Sequence, residues 1–146
     1  MKILVINGPN LNLLGIREPA IYGTATYGQL VAQVVAHGQT LGQTVEVVQS
    51  NHEGVLVDTI QQAYGRYDAL VLNAAAYTHT SIAILDALRA VGLPTVEVHL
   101  SAPCEREPYR HISYVREYTP VCFCGKGIQS YLDALDYLAN KQGDLL

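Results

Sequence analysis

An α/β fold of three layers, with helices on both faces of a five-stranded parallel sheet, is what this sequence predicts. Four short runs rich in Val, Leu and Ile, Lys2 to Asn7, Val45 to Gln49, Ala69 to Asn73 and Thr95 to His99, show little polar alternation, as strands buried on both faces do. The segments between them carry helical period. Strands alternating with helices imply right-handed crossovers, and five strands point to the flavodoxin-like order 2-1-3-4-5. In that arrangement ligands bind beyond the carboxyl ends of the strands, at the switch point between the first and third. The apolar runs end in Asn7, Gln49, Asn73 and His99, so polar groups gather along that edge.

The first strand leads into Asn7 to Gly23, NGPNLNLLGIREPAIYG, a connection far longer than the usual handful of residues. It holds a guanidinium (Arg17), a phenol (Tyr22), amides at Asn10 and Asn12, and glycines at Gly8, Gly15 and Gly23. That inventory suits a mobile flap that brings a cation beside a phenol. Leu11, Leu13, Leu14 and Ile16 favour burial, against a disordered loop. Thr26 then N-caps a helix with Gln29 in the capping-box position, and Tyr27, Leu30, Val31, Val34, Gly38 and Leu41 share one face. Gly38 permits close approach to the sheet.

After the second strand a helix starts near Ser50 or Asn51, with Leu56, Ile60, Ala63 and Tyr67 as its stripe and Gly65 at its frayed end. A third starts at Thr80 or Ser81 and stops at Gly92, with Pro94 behind it. Its core face is Ile84, Leu85, Leu88 and Val91, while Ile82, Asp86 and Arg89 lie opposite. An exposed isoleucine beside an acid and a base suggests a subunit interface; the alternative is a solvated i,i+3 pair. Val121 to Cys124 is a fifth, very short strand, and the last helix carries Ile128, Leu132, Leu135 and Leu138 before a frayed terminus from Lys141 to Leu146.

The chain has 146 residues, 49% of them apolar, which suits a single domain, 1-146, with one core. A net charge of -4 without a basic run lacks the electrostatic footprint of a nucleic-acid binder. The opening MKILVING ends its apolar run well short of a signal or membrane segment, so a cytoplasmic location is expected. Three cysteines, Cys104, Cys122 and Cys124, favour reduced thiols over a disulfide framework. Cys122 and Cys124 would face one side of a strand, where packing explains them better than metal or redox chemistry.

Chemistry concentrates at the strand ends. His99 closes the fourth strand, and Glu97 shares its face, so the carboxylate can orient the imidazole or hold it protonated. Leu100 and Ser101 open the next loop, where backbone N–H groups and a hydroxyl can hold a carboxylate. His79 stands at a helix start, able to donate to a ligand or to cap. Arg106, Arg110 and His111 lie within reach of the same edge, although any one alone is more often a solvated surface group; Asn51, His52 and Glu53 read first as helix-start chemistry.

Five blocks carry a resemblance: GPNLNLLG from Gly8 with REP at Arg17 and YG at Tyr22, QSNHEG at Gln49, AYTHTS at Ala76, VEVHLS at Val96 and REPYRH at Arg106. In this order they resemble the type II 3-dehydroquinate dehydratases, across most of the chain. The resemblance implies a lyase of biosynthesis or quinate breakdown that dehydrates 3-dehydroquinate to 3-dehydroshikimate through an enolate. It implies that Tyr22 removes a proton alpha to the ketone, assisted by Arg17, that Asn10 helps hold a water against the enolate oxygen, and that His99 protonates the departing hydroxyl. By the same likeness Asn73, Leu100 and Ser101 hold the substrate carboxylate and His79 and Arg110 bind its hydroxyls. Family members assemble as dodecamers of trimers, in which a neighbouring subunit's helix acid, here Asp86, completes each site.

The residues fit that route better than its rivals. A phenol ionises near pH 10, so a tyrosine base needs a cation beside it, and Arg17 is in the same loop. A Schiff base needs a buried lysine, yet Lys2, Lys126 and Lys141 are all poorly placed, and neither HExxH nor a Cys-x-x-Cys pair signals a metal; no cofactor is implied. The competing reading is a non-enzymatic flavodoxin-like ligand-binding module. A phosphate binder, however, wants a glycine-rich turn opening directly into a helix, and here the long loop intervenes. The chain departs from the family pattern at Ala74 and Ala75, where Pro-Gly is common, at Ala102 in place of Asn, at Ser130 in place of Gly, and in a fifth strand richer in Cys and Val.

Overall fold

A computed structural model describes residues 1 to 142. Strands β1 (Lys2–Asn7), β2 (Thr44–Gln49), β3 (Ala69–Asn73), β4 (Thr95–His99) and β5 (Cys122–Cys124) form one parallel sheet in the order β2-β1-β3-β4-β5. Asn7 pairs in register with Gln49 on one side and Asn73 on the other, and His99 with Cys124. The polar strand ends predicted to share an edge do so.

Side-chain alternation along the strands splits the core in two. Ile3, Val5, Val71, Val96 and Val98 face helices α2 (Tyr27–Thr40) and α5 (Gln129–Gln142), through Leu30, Val34, Leu135 and Leu138. Leu4, Ile6, Leu70 and Leu72 face α3 (Glu53–Ala63) and α4 (Ile82–Val91), through Leu56, Ile60, Ile84 and Leu88. Each such side chain contributes about 1.5 to 3 kcal/mol when fully buried. Strand β2 departs from the expected burial on both faces: Val45 and Val47 pack against the α2 side, while Thr44, Glu46 and Val48 are exposed on the other. It is the edge strand, and the α3–α4 layer covers the inner strands first.

The helix starts follow their caps. Gln29 N donates to Thr26 Oγ1 at 3.2 Å and Thr26 N to Gln29 Oε1 at 2.9 Å, the predicted capping box. A Cβ on Gly38 would come within 2.3 Å of Val45 Cγ2, so the close approach of α2 to the sheet requires that glycine. Ser81 caps α4, accepting from Ile84 N at 3.0 Å, and Gly92 ends it at φ 66. Helix α3 begins later than Ser50 or Asn51, because those two side chains are used elsewhere: Ser50 Oγ accepts from His52 N, and Asn51 Oδ1 from Asn10 N in the loop after β1. Helix α5 buries Tyr131 and Ala134 with Leu135 and Leu138, leaving Ile128 and Leu132 half-buried. It stays helical through Lys141 and Gln142, where fraying was expected, and residues 143 to 146 lie outside the described residues.

Ala75 sits in the left-handed region at φ 52, where a side chain costs about 1 to 2 kcal/mol. The neighbouring Gly8 packs so tightly on Ala74 that a Cβ there would lie 2.5 Å from the Ala74 carbonyl oxygen. Ala75→Gly relieves the strain but frees the unfolded chain, so a net gain of roughly 0.5 kcal/mol is expected. Urea unfolding checks it; an unchanged or lower midpoint would mean that the surrounding loop absorbs the strain.

Candidate active site

Beyond the carboxyl ends of β1, β3 and β4 lies a cavity of about 250 Å³. The segment after β1 forms its cover. A short 3-10 turn, Leu11–Leu13, and helix α1 (Pro19–Tyr22) give this loop internal structure that its composition did not reveal. Leu11 and Leu14 sink into the core against α2 and α5, as expected, but Leu13 and Ile16 are 43% and 81% exposed. The turn's geometry aims only two of the four apolar side chains inward. Gln49 Nε2 donates to the Gly8 carbonyl at 3.2 Å and to Asn51 Oδ1 at 3.1 Å, pinning the loop to the end of β2.

Helix α1 delivers Tyr22. The Arg17 guanidinium carbon lies 4.3 Å from the Tyr22 ring centroid, stacked on the ring face. A second guanidinium reaches the hydroxyl: Arg106 Nη1 donates to Tyr22 OH at 2.9 Å and to Ser101 Oγ at 3.3 Å. Arg106 was not among the predicted site residues, although it opens the REPYRH block. Arg17, Tyr22 and Arg106 all line the cavity.

His99, 5% exposed, faces them from the end of β4. Its Nε2 lies 2.6 Å from Glu97 Oε1, the pairing expected of residues two apart on a strand. Ser113 Oγ donates to Oε1 at 2.8 Å and Arg116 Nε to Oε2 at 3.0 Å. Burial pushes the Glu97 carboxyl up, but the His99 hydrogen bond and charge, Ser113 and Arg116 together hold it below the usual carboxylate range. An ionised Glu97 makes Nε2 the protonated ring nitrogen and leaves Nδ1 as the one it does not hold.

His79 Nδ1 donates to the Ile112 carbonyl at 2.7 Å, and burial pushes its pKa down, so the ring is neutral near pH 7. Arg110 Nε donates to Glu107 Oε2 at 2.8 Å. Asn73 is held by the buried tyrosine of α5: its Nδ2 donates to Tyr131 OH at 2.8 Å, and that hydroxyl donates to Asn7 Oδ1 at 2.6 Å. Gly127 N donates to the Leu100 carbonyl at 3.0 Å, so the trans peptide points Ser101 N–H the opposite way. Asn10, Asn73, His79, Leu100, Ser101 and Arg110 join Arg17, Tyr22 and His99 around the cavity, whereas Asp86 is exposed on α4 and does not line the cavity of its own chain.

A family model described as dehydroquinase class II matches residues 1–139. The chain belongs to that family. Among similar proteins, the 3-dehydroquinate dehydratase of Ruegeria pomeroyi is 54% identical over 138 residues, covering 94% of this chain and 93% of the other. Catabolic 3-dehydroquinase 1 of Aspergillus terreus is 52% identical over 138 residues, covering 94% and 91%. The crystal structure of the type II dehydroquinase from Butyrivibrio crossotus superposes with a TM-score of 0.92 at 47% identity, covering 96% of this chain and 97% of that one.

The carboxyl-edge cavity is smaller than a mostly apolar groove of about 750 Å³ at the amino ends of the strands, lined by Val96, Tyr118, Val121, Tyr137 and Leu138 among others. Tyr22 and His99 meet in the carboxyl-edge cavity, with Arg17 and Arg106 beside the phenol. Among the described residues, Glu97, His99 and Cys122 bring potential ligand atoms within 4.8 Å of one another. Arg116 already sits on both Glu97 Oε2 and Cys122 Sγ, and burial with the nearby Glu97 charge pushes the Cys122 thiol up to about 12. A protonated thiol beside a guanidinium is a hydrogen-bonded network, not a cation site. No helix among the described residues is long and apolar enough to cross a membrane.

Proposed function

We propose that this protein dehydrates 3-dehydroquinate to 3-dehydroshikimate by acid–base chemistry through an enolate. The observation that carries the reading is one small cavity with a phenol flanked by two guanidinium groups and, facing it, an imidazole backed by a buried carboxylate. The Tyr22 oxygen, with Arg17 on the ring face and Arg106 at the hydroxyl, takes a proton from the carbon alpha to the ketone. The C–H pair becomes the enolate C=C bond as the carbonyl π pair moves onto the ketone oxygen, and Asn10 helps hold a water against that oxygen. The enolate then collapses, the ring C=C bond forms, and the beta C–O bond breaks. His99 Nδ1 gives its proton to the departing hydroxyl, which leaves as water. Asn73, Leu100 and Ser101 hold the carboxylate; neutral His79 and Arg110 bind the hydroxyls.

The test is an ultraviolet assay for the conjugated enone product from 3-dehydroquinate. No absorbance rise with folded protein between pH 6 and 9, a range of about three units, would sink the proposal. Borohydride with substrate should trap no lysine adduct by mass spectrometry, because the chemistry needs no Schiff base.

The same reading makes the protein a dodecamer of trimers in which Asp86 of a neighbouring copy reaches the substrate site. Ile82, 55% exposed, lies one turn before Asp86 on the outward face of α4, where an apolar contact and a carboxylate can serve one interface. Asp86→Ala is therefore expected to raise KM by about tenfold, the scale of one hydrogen bond to a charged group, and to weaken assembly. Light scattering paired with the enone assay decides it; a fully active monomer would show that Asp86 serves only its own helix.

A further inference from the structure

Arg116, the guanidinium on Glu97, has no task in the proposed reaction. It lies in the 3-10 turn Val115–Glu117 just before β5, and its guanidinium reaches the carboxylate behind His99. Ser113 ties the turn to the same group: its Oγ donates to Glu97 Oε1 at 2.8 Å and accepts from Arg116 N at 3.3 Å. The carboxylate is thus gripped on both oxygens, by His99 and Ser113 on one and by Arg116 on the other.

We propose that Arg116 is a positioning residue for the dehydration: it keeps Glu97 charged and oriented while His99 passes its proton to the leaving hydroxyl. The proposal rests on the reading of His99 as the general acid.

The argument turns on what happens to a fully buried carboxylate when its partner loses charge. Glu97 has no exposed surface, and an uncompensated buried anion is costly. While His99 is an imidazolium the pair is neutral. Once the proton leaves Nδ1, Glu97 faces a neutral ring, and the cost of that state falls on the transfer step unless another cation is present. Arg116 is that cation; a guanidinium stays charged throughout the working range. Its side chain is 41% exposed, so it carries its charge without the penalty of full burial.

The surrounding groups leave the task to Arg116. Facing Glu97 are His99 on its own strand, Ser113 and Arg116 from the turn, and Cys122 on β5, whose thiol stays protonated and adds no charge. Around His99, the adjoining gap presents His79, Arg110, His111 and Cys104. His79 donates to Ile112, Arg110 to Glu107, and His111 Nε2 to the Arg106 carbonyl. None of these reaches the Glu97 carboxylate.

The test compares Arg116→Gln, Arg116→Lys, Glu97→Gln and the double variant Glu97→Gln/Arg116→Gln in the enone assay, with melting to confirm folding. Arg116→Gln is expected to lower kcat about tenfold with KM within about twofold, Arg116→Lys to recover most of it, and the loss to shrink below about twofold in the Glu97→Gln background. The acid limb of the kcat profile should move to higher pH in Arg116→Gln, since burial then raises Glu97 against fewer opposing partners. A second readout needs no turnover. The His99 Nε2 proton, a low-field NMR signal absent from Glu97→Gln, should move or exchange faster in Arg116→Gln. An unchanged kcat and unchanged proton in Arg116→Gln, or the same tenfold loss in the Glu97→Gln background, overturns the proposal. Should the wild-type protein give no enone, the reaction assignment fails, and the proton signal alone decides whether Arg116 holds the Glu97–His99 pair.

Discussion

Tyr22→Phe is expected to lower kcat by about a thousandfold to ten-thousandfold while ligand affinity changes by less than about tenfold, 1.4 kcal/mol. The substitution removes one oxygen and keeps the ring. The face on which Arg17 stacks at 4.3 Å is retained, so the cover over the cavity keeps its cation–π contact. What is lost is the oxygen proposed to receive the substrate proton, together with its hydrogen bond from Arg106 at 2.9 Å. Tyr22 is half-buried on a four-residue helix at the surface, so the cost to global stability should stay within about 1 kcal/mol. The split between kcat and affinity separates a base from a binding group: uniform binding would raise KM and leave kcat alone. A folded Tyr22→Phe enzyme that keeps more than about a tenth of wild-type kcat would mean that another group removes the proton.

The predicted order of the sheet, and the span of all five strands to within one residue, agree with the structure because a strand buried on both faces shows little polar alternation, and Lys2–Asn7, Ala69–Asn73 and Thr95–His99 are such runs. Convergence at the carboxyl edge was legible for the same reason: each run stops at a polar residue, and parallel pairing aligns those stops. What local pattern could not supply was the choice among equivalent polar groups. Arg106, Arg110 and His111 stand in one polar segment, and only the approach of Tyr22, 84 residues earlier in the chain, singles out Arg106. Tyr131 was missed because a helical stripe drawn through leucines passes beside it, yet its hydroxyl joins the ends of β1 and β3 through Asn7 and Asn73. Ser50 and Asn51 have the chemistry of helix caps, but the competing demand of the loop after β1 draws Asn51 away.

His99→Ala and His99→Gln are expected to share a catalytic defect and to differ in stability. Proton donation to a poor leaving group contributes about a hundredfold to ten-thousandfold, and neither replacement can donate a proton in this way. Both should therefore lose kcat on that scale. The difference lies in Glu97. Its carboxyl, buried and held below the usual carboxylate range by His99, Ser113 and Arg116, contributes stability that is present above its unfolded pKa and lost as pH falls through the lower folded value. The wild-type protein should thus resist acid until the pH drops below the ordinary carboxylate range. Alanine removes the first of the partners that oppose burial, so the Glu97 folded pKa rises and the acid-unfolding midpoint moves to higher pH. At neutral pH the loss should fall below the 3 to 5 kcal/mol typical of breaking a buried pair, at about 2 kcal/mol, because Ser113 and Arg116 remain. Glutamine keeps an N–H donor for Oε1 and should retain most of that stability. Urea unfolding at pH 7 and pH 4.5, alongside the enone assay, separates the two roles. If His99→Gln turns over at the wild-type rate, proton donation comes from another group; if His99→Ala unfolds in acid at the wild-type midpoint, Glu97 does not depend on His99 for its charge.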